Sequence, residues 1–446
     1  MALAGLGAQV GTTYATTAAR KTFASTARRE ALDRQREVRS AEQIAEQLGN
    51  MKGALMKLGQ MASYLDDGLP QPLREALAQL QSAAPPMSVD LAVATLEREL
   101  GRSVGEAFVE FDVEPIAAAS IGQVHRALLR DADGTERAVA VKIQYPGVAE
   151  AIDADLRNAD LFGMILRQAF TGLDPSEMVD EIKLRVAEEV DYRREAEHQQ
   201  RFADYYRDHP FIRVPDVVAS HSTARVLTTD LVDGFGWAEL LTRSQAERDR
   251  AGEVIFRFVF RSLYRMGMFN GDPHPGNYRF HDDGSVTFLD FGLVKHFTPE
   301  EMTTFGSMVR AAAVDRDDAE FRRIVETAGM LQPDAPVSTE AVGRYFSHFY
   351  ESVRADAPMT WTPDYASSIV RHTFDRSSPI SQYATVPRAF VFIQRINLGL
   401  YALLGELRAH GNYRRIAEEL WPFVAGPPTT ELGRAEAEWL AAHPHP

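Results

Sequence analysis

Two aspartates and an asparagine in the second half of the chain have the types and spacing of a metal-dependent phosphate site. Asp272 lies five residues before Asn277, and Asp290 begins an Asp-Phe-Gly triplet eighteen residues after Asp272. Carboxylate and amide oxygens are the ligands that Mg²⁺ takes, and Mg²⁺ accompanies the phosphates of a nucleotide. These three residues therefore predict chemistry on a nucleotide, assisted by Mg²⁺.

The same order and spacing occur in protein kinases, in which a catalytic-loop aspartate precedes a metal-binding asparagine and an Asp-Phe-Gly aspartate follows. The alternative is that these are ordinary turn residues, because Asp, Asn, Gly and Pro dominate turns. Two motifs with a strand between them favour the metal site over that alternative.

A lysine on an apolar strand is the next candidate. The segment Ala138-Val139-Ala140-Val141-Lys142-Ile143 matches the kinase strand whose lysine contacts the α- and β-phosphates. A cation on such a strand is costly unless it is paired. A partner is expected on the following helix, where Glu188, Asp191 and Glu195 share a face, although a solvated acidic face is the alternative there.

The segment that would cover the phosphates lacks the glycines of a kinase. It is Pro115-Ile116-Ala117-Ala118-Ala119-Ser120-Ile121-Gly122, and the backbone N–H groups of Ala117, Ala118, Ala119 and Ser120 are candidates to face phosphate oxygens. Because alanine resists positive φ, we expect a stiffer loop than a glycine-rich one. The chain has neither a P-loop nor a Rossmann motif, which excludes P-loop ATPases and dinucleotide enzymes.

The elements that must position these residues follow from the hydrophobic periodicity. A β-rich region gives way after about residue 233 to a mostly helical one, which predicts an α+β fold with two lobes. The predicted elements are a helix at Val89 to Leu100 between Ser88 and Gly101, a hairpin of Ile121 to Arg130 with Ala138 to Gln144, helices at 149–170 and 176–206, short strands near 213–218 and 225–229, and a strand pair between Asn270 and Asp290.

Composition excludes several classes of protein. The formal net charge of −15 argues against a nucleic-acid-binding protein, and the absence of cysteine excludes disulfides, thiolate metal sites and a cysteine nucleophile. No run of eighteen apolar residues occurs, so we expect no transmembrane helix. The first forty residues carry seven Lys/Arg against three Asp/Glu. We interpret them as an amphipathic lead-in, with weak attachment to an anionic membrane as the alternative.

The motif Met56-Lys57-Leu58-Gly59-Gln60-Met61 gives the sequence its family resemblance. A Lys-x-Gly-Gln helix ahead of an Ala-rich loop is the mark of the UbiB/AarF/ADCK (ABC1-type) family of atypical kinases, and the chain resembles that family from about Gly53 to Asp315. Further matching segments are Ala-Ala-Ala-Ser-Ile-Gly-Gln-Val-His at 117–125, Lys-Ile-Gln-Tyr-Pro-Gly at 142–147 and Glu-Val-Asp-Tyr-Arg-Arg-Glu at 189–195.

The resemblance implies roles for individual residues. Lys142 would pair with Glu195, Asp272 would be the catalytic-loop aspartate, and Asn277 and Asp290 would hold Mg²⁺. The hinge at Thr229 to Val232, with Asp230 and Val232, would meet adenine. The helix with Lys57 and Gln60 would cross the place where a kinase takes its peptide and interact with the pair Glu189 and Asp191. The roles implied by resemblance concern Lys142, Glu195, Asp230, Val232, Asp272, Asn277, Asp290, Lys57, Gln60, Glu189 and Asp191.

Spacing supports part of this arrangement. Lys57 and Gln60 are three residues apart and share a helix face. Glu189 and Asp191 are two residues apart, so in a straight helix they cannot both point at Lys57. Taken alone, the Lys57 segment is also compatible with an ordinary amphipathic helix that exposes a lysine.

Two departures from protein kinases are visible in the sequence. Thr298-Pro299-Glu300-Glu301 predicts a capped helix about five residues after Asp-Phe-Gly, which leaves no long activation segment to serve as a platform for a substrate peptide. Asn270-Gly271 replaces the histidine and arginine that precede the catalytic aspartate of kinases. We therefore expect His274 to structure its loop.

These observations predict five regions, at 1–49 (lead-in), 50–110 (the Lys57 helical extension), 111–232 (N-lobe), 233–341 (C-lobe) and 342–446 (C-terminal helical extension). We expect an atypical kinase or ATPase that binds ATP or ADP with Mg²⁺ and supports isoprenoid-quinone biosynthesis or lipid handling. The alternatives are a nucleotide-gated scaffold and a true protein kinase. The expected partners are nucleotide, membrane lipid or quinone intermediates and quinone-biosynthesis proteins, in the bacterial cytoplasm or peripherally at the inner face of the cell membrane.

Overall fold

The structure is a computed structural model that describes residues 87–119, 121–148, 190–374, 378–380, 382–384 and 388–444. The chain divides into two compact units. The first comprises Met1–Tyr192 and His221–Thr228, and the second comprises Arg193–Ser220 and Thr229–Pro446. The five regions predicted from the sequence stay a prediction.

The described residues of the first unit form two helices followed by a run of strands, and those of the second unit are mostly helical. The strands are β1 (Glu110–Phe111), β2 (Ala117–Ala119), β3 (Gly122–Arg130), β4 (Glu136–Gln144), β5 (Ile212–Arg213), β6 (Val226–Asp230), β7 (Met268–Asn270), β8 (Tyr278–Phe280), β9 (Val286–Phe288), β10 (Val294–His296), β11 (Met359–Thr360) and β12 (His410–Gly411). The α-helices are α1 (Val89–Leu100), α2 (Val104–Ala107), α3 (Tyr192–Tyr205), α4 (Trp237–Leu240), α5 (Gln245–Met266), α6 (Pro299–Val309), α7 (Asp318–Thr327), α8 (Thr339–Ser347), α9 (Glu351–Arg354), α10 (Pro363–Phe374), α11 (Arg388–Leu407), α12 (Tyr413–Leu420) and α13 (Glu431–Ala442).

The first unit contains a sheet of order β1-β3-β4-β6, with β2 also paired to β3. Strands β3 and β4 form the predicted hairpin, in register from Gly122 opposite Gln144 to Arg130 opposite Glu136. The predicted helix α1 is also confirmed, and Gly101 ends it in the left-handed conformation at φ 68°. Ser88 occupies the N-cap position of α1, and its side chain makes no capping hydrogen bond.

Two polar residues of the family motif at 117–125 lie inside this sheet. Gln123 and His125 are buried on the same face of β3, two residues apart. Gln123 accepts from the backbone N–H of Met87 at 2.9 Å, and its Nε2 lies 2.8 Å from His125 Nε2. The other ring nitrogen of His125 lies 2.8 Å from the carbonyl oxygen of Asp112. These residues therefore satisfy each other's hydrogen bonds and hold the segments before β3 onto the strand.

The Ala-rich segment expected as a loop is a strand. Ala117, Ala118 and Ala119 pair antiparallel with Val124, Gln123 and Gly122. Alanine favours negative φ, so three alanines extend and pair with β3 rather than forming an open loop. A Cβ added at Gly122 would lie 2.3 Å from the carbonyl oxygen of Ile143, which explains why this position beside β4 is a glycine.

The helix predicted at 176–206 begins at Tyr192 in its described part, and residues 190 and 191 are not helical. At this point the backbone bonds to distant residues of the same, first unit instead of continuing a helix. Gln144 Nε2 donates to the carbonyl oxygen of Val190, and Tyr192 N–H donates to that of Ala224, both at 2.9 Å. The prediction of one continuous helix through Asp191 is therefore wrong. The straight-helix argument about Glu189 and Asp191 does not apply, and Glu189 lies outside the described residues.

The second unit is built around the long helix α5, whose apolar side chains meet an aromatic core. Phe258 of α5 stacks on Phe288 of β9, with ring centroids 3.6 Å apart. The rings of Phe202 of α3 and Phe291 also pack together, with centroids 4.8 Å apart. The predicted strand pair between Asn270 and Asp290 is confirmed as β8 and β9, in antiparallel register. Across the described residues, none of the helices combines the length and apolar character that a membrane span requires.

A buried ion cluster joins α5 to the C-terminal helices of the second unit. Arg257 of α5 is fully buried and contacts carboxylates of Glu253, Glu419 and Glu436. Arg261, one turn later, bonds both carboxylate oxygens of Glu436, at 3.0 and 2.7 Å. Burial alone would raise the pKa of Glu436, but neighbouring His209 and the charges of Arg261 and Arg257 hold that pKa well below its usual range. Glu436 is therefore an anion held by two buried cations.

His209 is expected to make the free energy of unfolding pH-dependent. Its Nδ1 accepts the backbone N–H of Ile212 at 3.0 Å, and its Nε2 lies 3.6 Å from Glu436 Oε1. Burial lowers its pKa, with Arg261 and Arg257 adding to the effect, although Glu436 opposes it. As the pH falls below about 6.5, His209 becomes protonated in the unfolded chain while it stays neutral in the native state. The free energy of unfolding should therefore fall until the pH reaches the pKa of native His209.

Chemical denaturation of wild type and His209→Asn at pH 7.5 and 5.5 checks this prediction. Asparagine keeps an acceptor near the position of Nδ1 but does not titrate. The drop in the free energy of unfolding between the two pH values should be smaller in the variant. Equal drops in both proteins would assign the pH dependence to other groups.

Candidate active site

The pairing of β7 with β10 positions the loop that carries Asp272. Asn270 of β7 lies opposite Val294 of β10, and the next residue, Gly271, donates its backbone N–H to the carbonyl oxygen of Leu293 at 2.6 Å. A Cβ at Gly271 would lie 3.1 Å from Leu293, so glycine permits this close approach. The chain then turns through Asp272 and Pro273 into a 3₁₀ turn at Pro275–Asn277.

Asp272 and Asn277 of this loop are in direct contact. Asn277 Nδ2 donates to the backbone carbonyl oxygen of Asp272 at 3.0 Å and to its carboxylate at 3.2 Å. His274 Nδ1 accepts the backbone N–H of Gly276 at 3.0 Å, which is the loop-structuring contact expected of His274. Burial, and then the charge of Asp272, raise the pKa of neighbouring Tyr278 well above its usual value. Asp272 and Asn277 therefore act as one preorganised pair.

Asp290 lies in a tight turn, with its carboxylate beside a second acid. Its Oδ1 accepts the backbone N–H of Gly292 at 2.9 Å. A Cβ added at Gly292 would lie 3.3 Å from Asp290 Oδ1 and 3.5 Å from Glu195 Oε2, so Glu195 of α3 is held next to this turn. Phe291, between Asp290 and Gly292 in the chain, is fully buried in the aromatic core. The core therefore anchors the turn that presents Asp290.

Asn270 connects the two acidic loops, a role that was not predicted from the sequence. Its Nδ2 donates to the backbone carbonyl oxygen of Asp290 at 2.7 Å. Its Oδ1 accepts the backbone N–H of Asp272 at 3.3 Å. The available signal was the polar residue that ends the apolar strand Met268–Asn270, directly before Gly271. One side-chain amide thus sets the spacing between the loops of Asp272 and Asp290.

The donor set of these loops fits Mg²⁺. Asp272 and Asp290 provide carboxylates, and the hydrogen bonds that Asn277 donates through Nδ2 leave its amide oxygen as an acceptor. These are the hard oxygen ligands that Mg²⁺ selects, and they lie on adjacent loops joined through Asn270. The assignment of Asn277 and Asp290 as metal ligands stays a prediction.

In the first unit, Lys142 lies on β4 opposite Val124 of β3. Its Nζ lies 4.9 Å from the ring centroid of Tyr192, within the range of a cation–π interaction. Tyr192 is the first residue of α3, the helix that carries Glu195. Ala117 to Ala119, on β2, pair with the other side of the same strand β3. The predicted pairing of Lys142 with Glu195 stays a prediction.

The remaining residues predicted for the site are Asp230, Val232 and Asp191, together with four residues outside the described ranges. Asp230 ends β6, and its backbone N–H donates to the carbonyl oxygen of Asp216 at 3.0 Å. Val232 follows two residues later and is half-buried. Asp191 immediately precedes α3. Lys57, Gln60, Glu189 and Ser120 lie outside the described residues.

A C-terminal helix contacts the loop of Asp272. Pro273 packs on Gly399 of α11, where an added Cβ would lie 2.4 Å from Pro273 Cγ. Carbon atoms in van der Waals contact stand about 3.5–4.0 Å apart, so a larger side chain would displace the loop or the helix. Gly399 therefore permits α11 to support the residue next to Asp272.

Comparison with known proteins places these features in a family. The model of the ABC1 atypical kinase-like domain matches residues 79–325. Over 281 residues the chain is 36% identical to the atypical kinase COQ8B, mitochondrial, of Rattus norvegicus, covering 62% of this chain and 52% of that protein. Over 268 residues it is 33% identical to the protein Activity of BC1 complex kinase 8, chloroplastic, of Arabidopsis thaliana, covering 58% of this chain and 35% of that protein. The chain thus spans about a third to a half of the length of these relatives.

A solved structure shows the same fold. The Rv3197–erythromycin complex from Mycobacterium tuberculosis matches with a TM-score of 0.64 at 32% identity, covering 89% of this chain and all of that one. The kinase-like α+β fold predicted from the sequence is confirmed. The resemblance found through the Lys57 motif is confirmed as well. The chain belongs to the family of ABC1 atypical kinase-like proteins.

Proposed function

We propose that this protein binds ATP or ADP with Mg²⁺ and is an ATPase or phosphotransferase that acts on a small or lipid-like acceptor. The contact of Asn277 with the Asp272 carboxylate, at 3.2 Å, is the observation that carries the proposal. It joins the Asp272 carboxylate, the proposed base, to the Asn277 amide, a proposed metal ligand. The two residues have the spacing that kinases use for phosphoryl transfer. Membership of an atypical kinase family supports the same reading.

The proposed division of labour follows the chemistry of each group. Asn277 and Asp290 hold Mg²⁺, which when bound neutralises charge on the phosphates. Asp272 orients the attacking hydroxyl or water and accepts its proton. Lys142 stabilises negative charge on the phosphate oxygens, with Glu195 as its partner. Asp230 and Val232 meet adenine, and the N–H groups of Ala117 to Ser120 face the phosphates.

The proposed acceptor is not a protein. Only six residues separate Gly292 from Pro299, and β10 occupies three of them before helix α6 begins. Kinases that phosphorylate proteins use the segment after Asp-Phe-Gly, up to Ala-Pro-Glu, to carry their activation-loop phosphosite. We therefore propose a supporting role in isoprenoid-quinone biosynthesis, as the family resemblance implies, from the cytoplasm or at the inner face of the membrane. The Lys57 and Gln60 helix would exclude a peptide in this proposal.

The test is ATP turnover by the purified chain with Mg²⁺, measured with and without anionic vesicles and a soluble quinone-precursor mimic. Nucleotide affinity is measured in parallel. Turnover that requires Mg²⁺ and rises with vesicles supports a lipid-responsive ATPase. Mg²⁺-dependent binding without turnover in any condition would replace the proposal by a nucleotide-gated scaffold. Absence of binding would overturn both.

Gly399→Ala is expected to reduce turnover by about 10–100-fold, because a shift of about 1 Å in a catalytic group costs on that order. The added methyl would lie 2.4 Å from Pro273 Cγ and push on the loop of Asp272. Nucleotide affinity should change less than turnover, since Lys142 and the adenine contacts are not altered. Steady-state kinetics and nucleotide titration check both expectations.

Gly405→Ala is the matched control for this prediction. It changes a glycine of the same helix, α11, where the added Cβ would meet the backbone oxygen of Thr362 at 2.9 Å, away from Pro273. It should lower stability without lowering turnover of the folded protein. Adding Pro273→Ala, which removes Cγ, should restore part of the loss in Gly399→Ala. Equal losses of turnover in the two glycine variants would show a general folding effect instead.

A further inference from the structure

One face of strand β4 contacts the segment that leads into α3 at two points. Lys142 and Gln144 are two residues apart on β4, so their side chains point to the same side of the sheet. Gln144 Nε2 donates to the backbone carbonyl oxygen of Val190 at 2.9 Å. The Lys142 ammonium lies 4.9 Å from the ring centroid of Tyr192. The strand therefore binds this segment with one side chain and places a cation against it with the other.

The Tyr192 side chain is held in one place within the first unit. The residue is 1% exposed, and its backbone N–H donates to the carbonyl oxygen of Ala224 at 2.9 Å. A Cβ added at Gly122 would lie 3.0 Å from the Tyr192 hydroxyl oxygen, so this hydroxyl lies beside the first residue of β3. The ring therefore adjoins Lys142, while its hydroxyl end reaches the strand that pairs with the alanines of β2.

We propose that Tyr192 is a positioning residue, whose ring face holds the Lys142 ammonium where it meets the nucleotide phosphates. The inference rests on the proposed function, which assigns Lys142 to those phosphates. A cation within about 6 Å of a tyrosine ring centroid is attracted by the negative face of the ring. The observed 4.9 Å lies inside that limit. An ammonium has three N–H donors, so contact with a ring face is compatible with donation to phosphate oxygens.

Positioning has a physical effect here because lysine is flexible. Its charge stands at the end of a four-carbon stem, which loses rotamer freedom when the ammonium is fixed on a ligand. A ring that already holds the ammonium reduces the loss that nucleotide binding would otherwise cause, which is the general benefit of preorganisation. Weakening the attraction of the ring should therefore weaken nucleotide binding, although every charge of the site is kept.

The ring face, and not the hydroxyl, is the part of Tyr192 that the proposal requires. Phenylalanine presents the same kind of face to a cation, so Tyr192→Phe should keep the nucleotide affinity of wild type. Leucine is apolar but has no ring. Tyr192→Leu should therefore weaken nucleotide binding by about 2–30-fold, which is the range of cation–π energies at tenfold per 1.4 kcal/mol.

The experiment is calorimetric titration of the full chain with ATP and with ADP, each with Mg²⁺. It is made on variants in which Tyr192 is replaced by phenylalanine with zero, one, two or three ring fluorines. Fluorine draws electrons from the ring face and weakens its attraction for a cation, while the ring nearly keeps its shape. Nucleotide affinity should fall stepwise with the number of fluorines, and the Tm should stay near that of Tyr192→Phe. A residue that only fills space would give no such series.

The same fluorine series at Phe108 is the matched control. Phe108 is a buried aromatic residue of the same unit, and its ring packs against that of Phe111 with centroids 6.0 Å apart. Fluorination there should leave nucleotide affinity unchanged. Equal losses of affinity in the two series would overturn the inference, because they would show a general effect of fluorine.

The outcomes for the inference and for the proposed function are distinct. If wild type binds nucleotide and fluorination of the ring at Tyr192 leaves the affinity unchanged or raises it, Tyr192 does not position Lys142, and the proposed function stands. If wild type binds neither ATP nor ADP, the proposed function fails and this inference fails with it. A stepwise loss confined to the Tyr192 series supports both.

Discussion

Replacing Glu436 by alanine is expected to lower the free energy of unfolding by about 3–5 kcal/mol, the cost of removing one partner from a buried ion pair. Glu436 is 1% exposed and binds Arg257 at 3.0 Å and Arg261 at 2.7 Å. Without it, Arg261 keeps only a 3.3 Å hydrogen bond to the backbone oxygen of Glu419 among the polar contacts described for it. A buried guanidinium with so little compensation is strongly destabilising.

Glu438→Ala is the matched control, because Glu438 lies on the same helix, α13, but is exposed. Its loss should change stability by less than about 0.5 kcal/mol, as is usual for surface substitutions. Glu436→Gln keeps the side-chain shape and one acceptor oxygen and should fall between the two. Guanidinium denaturation measures the free energies, and hydrogen exchange of α13 shows whether the helix opens by itself. Equal effects of Glu436→Ala and Glu438→Ala would contradict the prediction.

The cluster around Glu436 also shows what the sequence could not reveal. Arg257 and Arg261 are one helical turn apart on α5, a spacing that equally suits an exposed basic stripe. Their partner Glu436 is 175 residues away from Arg261. No local pattern links them, so only the packing of α12 and α13 against α5 makes these charges a buried cluster.

The parts that were predicted correctly depend on short-range signals. Gly101 ends α1 because glycine tolerates positive φ, and the β3–β4 hairpin follows from alternating apolar residues around a turn. Asn270 was missed because its effect on Asp290 acts across twenty residues, through the pairing of β7 with β10. The non-helical conformation of residues 190 and 191 was missed for the same reason, because Gln144 and Ala224, both distant in sequence, bond to the backbone of Val190 and Tyr192.

Asp290→Asn is expected to reduce Mg²⁺-dependent ATP turnover by at least about 10²–10³-fold, the cost of removing one preorganised electrostatic group from an active site. Asparagine has nearly the same shape and keeps an oxygen to accept the Gly292 N–H, which Asp290 Oδ1 now accepts at 2.9 Å. The turn should therefore keep its conformation. What is lost is the negative charge that a divalent cation requires.

Asp283→Asn is a closely matched control in the same unit. Asp283 Oδ1 accepts the backbone N–H of Ser285, two residues later, at 2.9 Å, which is the turn geometry of Asp290 and Gly292. Its carboxylate pairs with exposed Arg213 on the surface. If the charge of Asp290 acts on a metal, Asp283→Asn should retain turnover while Asp290→Asn loses it.

Nucleotide titration with and without Mg²⁺ then separates the possible roles of Asp290. A metal ligand predicts that Mg²⁺ strengthens nucleotide binding in wild type and in Asp283→Asn but not in Asp290→Asn. If Asp290→Asn lost the Mg²⁺ effect and wild type showed no turnover, the same residue would serve a nucleotide-gated scaffold. Turnover retained by Asp290→Asn would show that the Asp290 carboxylate is not a required metal ligand, because that carboxylate is the one group of the donor set that the variant lacks.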